Sequence, residues 1–198
     1  QASNISVIVS IAPIFTGILA HFFLEGEKMK KSIVLGFVCA MAGICLITFQ
    51  KGETVELNPL GDFLGVAAAA IWGVYSICSR KIAGFGYDTI ITTRRTFFYG
   101  ILFMLCALPF MDFHLSLSAL LKPVNLGNII YLGVGASAIC FVTWNYAVKS
   151  LGATRASVYI YGIPVVTILM SIPLLQEVIT LQAMAGTVLT LVGLLISE

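Results

Sequence analysis

Charge is what this sequence has least of. Only 10% of its 198 residues are Asp, Glu, Lys or Arg, while 59% are hydrophobic and the mean hydropathy is +1.02. A soluble domain carries about a quarter charged residues, so this chain cannot build a water-facing surface. One large buried core is no escape, because its exterior would still have to be polar. The formal net charge of +2 is too small to point to nucleic acid. Motifs are missing too. There is no GxxxxGK[ST], which excludes an intrinsic ATPase on this chain, and no HExxH, paired carboxylates or Ser/His arrangement that would mark an enzyme. Cys39, Cys45, Cys78, Cys106 and Cys140 are odd in number and form no CxxC or Cys/His spacing. They are expected to be reduced, buried packing residues. Neither metal nor cofactor is expected.

What the chain does have is long apolar runs. A bilayer core of about 30 Å takes roughly 20 apolar residues per helix. Seven stretches fit approximately: 2–24, 32–49, 60–79, 90–111, 127–148, 153–175 and 181–197. The segment 112–125 carries Phe113, Leu115, Leu117, Leu120 and Leu121, which suit the membrane interface. With seven spans, one side collects Lys28, Lys30, Lys31, Arg80, Lys81, Arg94, Arg95, Lys149 and Arg155, and the other only Lys51 and Lys122. By the positive-inside rule the first side is cytoplasmic. The expected location is the cell (inner or plasma) membrane, multi-pass, with Glu198 inside.

A duplication runs through the spans. Pro13, Glu27, Gly36 and Gly43 reappear as Pro164, Glu177, Gly186 and Gly193. Glu to first Gly is nine residues in both copies, Gly to Gly is seven in both, and Pro to Glu is 14 against 13. The copies lie five helices apart, an odd number, so the second crosses in the opposite sense. Such inverted repeats are the architecture of many secondary transporters. Three helices precede the second copy, and their counterparts would lie upstream of Gln1. The expectation is an all-α membrane protein whose seven spans belong to a ten-helix, two-repeat molecule truncated at its amino end: 1–50 closing the first repeat, 51–59 a connector, 60–198 the second repeat.

These residues resemble the EamA-type branch of the drug/metabolite transporter superfamily. The likeness is best over 151–197, with its Ala/Ser-rich helix start, central Pro164, Glu177 and the Gly186/Gly193 pair. It continues through 2–48, including GEKMKKSIVLG at 26–36, and more loosely through Trp72 and WNYAVKSLGA at 144–153. The resemblance implies export of a small-molecule substrate across the cytoplasmic membrane by alternating access, with lipid bilayer around it and a homodimer left open. The alternative is a seven-helix receptor or other non-transport membrane protein. A retinal protein would need a Lys in its last span, and 181–197 has none.

Two small-polar stripes are candidate cavity walls: Ser6, Ser10, Pro13, Gly17, Ala20 and Ser157, Tyr161, Pro164, Ser171. Steps of three and four put each on one helix face, although small residues also serve close helix packing. A mid-helix Pro would free a backbone carbonyl at each. Trp72, Tyr75, Trp144 and Asn145 are further substrate-contact candidates, with Trp144 and Asn145 equally suited to the headgroup region. Arg95, beside Arg94, either anchors at the membrane edge or attracts anionic groups. Glu27 and Glu177 are expected to cap the second and seventh spans, and Gly65, Ala69 and Gly73 to form a packing ridge. No Asp, Glu, Lys or His lies mid-span, so the proton site common in driven carriers is not visible here.

Overall fold

The computed structural model describes residues 8, 10–48, 59–111, 116–175 and 180–198. All regular structure among them is helical. We number the helices α1 Ala12–Phe23, α2 Lys31–Thr48, α3 Pro59–Gly84, α4 Thr89–Ala107, α5 Leu117–Leu120, α6 Pro123–Ile130, α7 Cys140–Leu151, α8 Ala153–Val158, α9 Gly162–Leu175 and α10 Leu181–Ser197. Among the described residues, four helical stretches are long and apolar enough to cross a membrane: Lys31–Thr48, Pro59–Gly84, Thr89–Phe110 and Pro123–Leu151. Ala12–Phe23 and Leu181–Ser197 are shorter apolar helices. The last of the long stretches winds more widely, as π-helix, over Tyr131–Ile139.

The chain forms two compact units, Gln1–Lys81 with Leu151–Glu198, and Ile82–Ser150. The first has a core of small residues. Its tightest pairing joins α2 and α10. A Cβ on Gly36 would collide with the Gly193 carbonyl, and one on Gly43 with the Gly186 carbonyl. In return, a Cβ on Gly186 would lie 2.7 Å from the Gly43 oxygen, and one on Gly193 2.6 Å from the Gly36 oxygen. Gly36 thus meets Gly193 while Gly43 meets Gly186, so the helices run antiparallel with their backbones in direct contact. Lipid offers apolar side chains as good a solvent as a protein interior, so membrane helices associate by such close approach. Thr190 and Ser197 line the seam, and their hydroxyls donate to Gly186 O (2.8 Å) and Gly193 O (2.9 Å). Neither brings an unsatisfied polar group into the contact.

A second contact joins α1 to α8, where a Cβ on Gly17 would rest 3.9 Å from Thr154 Cγ2. The α3 ridge packs on α1 as well. Gly65 faces Ile8, Gly73 approaches the Thr16 backbone amide, and Ala69 between them is buried. Large apolar side chains point outward instead, among them Phe22, Leu35, Phe63, Ile71 and Leu195.

Three expectations change here. Pro13 lies in the first turn of α1, where no N–H is needed, and Pro164 is the third residue of α9, just after a 3₁₀ turn at Tyr159–Tyr161. Pro13 therefore starts a helix, while Pro164 lies inside a helical run that continues from Ala153 to Leu175. α10 is capped by Thr180, whose hydroxyl accepts from Ala183 N at 3.1 Å, while Glu177 lies outside the described residues. The cysteines are free, but Cys78, Cys106 and Cys140 are exposed rather than buried, leaving only Cys39 and Cys45 half-covered. A thiol is apolar enough to face lipid.

Candidate functional site

The densest polar arrangement of the first unit centres on Glu27, in the turn between α1 and α2. Its carboxylate accepts from Ala153 N (3.1 Å), Thr154 N (3.0 Å) and the Thr154 hydroxyl (3.1 Å), at the start of α8. Arg80, near the end of α3, donates its Nε–H to the same carboxylate at 3.0 Å. One side chain therefore ties three helical segments together. Each component follows from local chemistry. The first backbone amides of a helix lack intrahelical partners, and an anion there is favoured by the helix dipole. Gly152 makes room: its φ is +95°, and a Cβ would stand 2.7 Å from Glu27 Oε1. Only glycine tolerates both conditions. The expected capping role is thus found at a different helix. Glu27 caps α8, not the adjoining α2.

Beside this clamp is a cavity of about 500 Å³ whose charged lining comprises Glu27, Lys28, Lys30, Arg80, Arg155 and Glu198. Thr154, Ile33 and Leu151 complete part of its wall. The stripe residues are elsewhere. Ser10, Pro13 and Ser157 are buried, and the Ser157 hydroxyl donates to Thr154 O at 2.7 Å, so they serve helix contacts. Tyr161 belongs to the core cluster of Ala40, Ile44 and Val158, with Phe37 packed against it. It is 1% exposed and packs in the seam between helices. Pro164 is half-buried. Trp72 and Tyr75 are half-buried neighbours on α3, ring centroids 5.6 Å apart. Ser6 lies outside the described residues.

In the second unit, Asn145 is buried on α7 and donates to the Thr93 hydroxyl of α4 at 2.9 Å. Thr93 in turn donates to Thr89 O. Asn145 therefore ties α4 to α7. Phe97 and Phe141 stack edge to face in the same helices, 5.2 Å apart. Arg95 is exposed and Trp144 half-buried. The residues overlooked by spacing are Arg80, Gly152 and Thr154 at the clamp and Thr93 in the second unit. Only Gly152, a glycine immediately before an Ala/Thr helix start, carried a local signal.

The chain matches the EamA-like transporter family over residues 1–49 and 59–197. It belongs to that family. An uncharacterized transporter of Archaeoglobus fulgidus is 32% identical over 192 residues, which cover 96% of this chain and 66% of that relative. A probable terminal-alkyne amino-acid exporter of Streptantibioticus cattleyicolor is 28% identical over 195 residues, 98% of this chain and 63% of that protein. A crystal structure of a protein with 21% identity superposes with a TM-score of 0.80, covering 98% of this chain and 66% of the other, so the fold is shared. The chain spans just under two thirds of the length of these relatives. EamA membership and the long apolar helices mark this as a multi-pass membrane chain of a transporter family.

Proposed function

We propose that this chain supplies seven of the spans of a ten-helix secondary transporter built from two inverted five-helix repeats. It exports a small metabolite across the cytoplasmic membrane by alternating access, with Glu198 on the cytoplasmic side. The observation that carries the architecture is the reciprocal seating of Gly36 and Gly43 against Gly193 and Gly186. Under the correspondence of the two copies the Gly36–Gly193 contact becomes the Gly186–Gly43 contact, so the two exchange as an in-plane two-fold requires. The amino-acid exporter among the relatives makes amino acids the first substrate class to test. Trp72 and Tyr75, half-buried on α3, are the side chains proposed to meet the substrate.

The test is efflux of labelled amino acids from proteoliposomes holding the full-length protein. Saturable efflux slowed about tenfold or more in Trp72→Ala or Tyr75→Ala is the expected result, one order of magnitude in rate being about 1.4 kcal/mol of barrier. Efflux no faster than from empty liposomes would reject an amino-acid exporter. Efflux unchanged in both variants would remove these two residues from the pathway.

A further inference from the structure

The cavity beside the Glu27 clamp has a charge balance that the clamp does not consume. Four cations line it, Lys28, Lys30, Arg80 and Arg155, against two carboxylates, Glu27 and Glu198. Glu27 is committed to Arg80 and to the α8 amides, and Glu198 accepts the Tyr159 hydroxyl at 2.7 Å. Among the described residues no carboxylate pairs with Lys28, Lys30 or Arg155, all three of which are exposed. The position matters as much as the sign. The lining comes from the α1–α2 turn, the end of α3, the start of α8 and the end of α10. Ends of apolar helices lie at headgroup depth, and the apolar Ile33 and Leu151 share the wall with the cations. Basic pockets between membrane helices are suited to anionic headgroups.

We propose that this cavity is a binding site for a phosphate group, supplied by an anionic phospholipid. Lys28, Lys30 and Arg155 would neutralise the phosphate, and the apolar part of the wall would meet the glycerol end of the acyl chains. The inference uses the clamp only to commit Glu27 and does not use the transport pathway, and its failure would leave both standing.

The experiment uses the full-length protein in nanodiscs of phosphatidylcholine with or without phosphatidylglycerol, with lipid retained after delipidation counted by native mass spectrometry. Wild type is expected to retain phosphatidylglycerol selectively. Lys30→Gln and Arg155→Gln should each weaken that retention about fivefold, the contribution of one basic residue near an anionic surface, whereas Arg155→Lys should keep it. A parallel arm titrates delipidated protein with inorganic phosphate and reads the unfolding midpoint. A midpoint raised by phosphate as far as by phosphatidylglycerol, and lost in the Gln variants, would support the phosphate site but assign it to a soluble ester. Equal retention of the two lipids with no response to phosphate would overturn the proposal. So would Gln variants that behave as wild type.

Discussion

The two units are put together differently. In Gln1–Lys81 with Leu151–Glu198, backbone meets backbone: Gly36, Gly43, Gly186 and Gly193 leave no room for a methyl group, and a four-bond carboxylate clamp adds a polar tie. In Ile82–Ser150 large side chains cover the helices on the outside, with Phe98, Phe103, Met104, Leu132 and Val134 exposed. There α4 and α7 share an amide–hydroxyl bond and an edge-to-face aromatic pair. The contrast separates two ways of associating helices without a hydrophobic driving force, close packing and sparse polar or aromatic contacts. Close packing is intolerant of added volume. A single interhelical hydrogen bond is worth little, because its groups find other partners in the separated state.

The seam offers the largest break. Gly36→Leu forces a side chain into the Gly193 carbonyl and should destabilise the full-length protein by on the order of 3 kcal/mol, read as a lowered thermal midpoint in detergent. Glu27→Ala comes next. It strands two helix-terminal amides and the Arg80 guanidinium, but Arg80 is 36% exposed and water recovers part of the loss. About 2 kcal/mol is expected, with Glu27→Gln recovering part of it. Asn145→Leu in the second unit should cost only about 0.6 kcal/mol, the average for a membrane interhelical hydrogen bond. If Asn145→Leu proved as damaging as Gly36→Leu, the contrast between the units would collapse.

How much of this was legible beforehand follows the range of each interaction. The glycine skeleton was readable, since repeated spacing within 36–43 and 186–193 marks two faces of the same kind. Which helix each face would meet was not. The small-polar periodicity of Ser157 and Tyr161 marks a face, but periodicity cannot say whether a face borders a cavity or a neighbour, and here α2 packs on Tyr161 through Phe37 and Ala40. Glu27 shows the limit most clearly. Its position after a helix announced a cap, yet the amides it serves are 126 and 127 residues away. Local reasoning assigned it to the nearest helix start instead. Asn145 shows the same limit: Thr93, to which it donates, is 52 residues earlier.

The antiparallel seam of α2 and α10 carries the account, and a distance measurement between paired spin labels reaches it without disturbing it. Lys31, Leu181 and Leu195 are all exposed and suitable for labelling. With Gly36 against Gly193, a label at 31 should lie close to one at 195. It should lie about 20 Å farther from one at 181, the rise of the intervening helix. Equal distances, or a shorter distance to 181 than to 195, would contradict the seam.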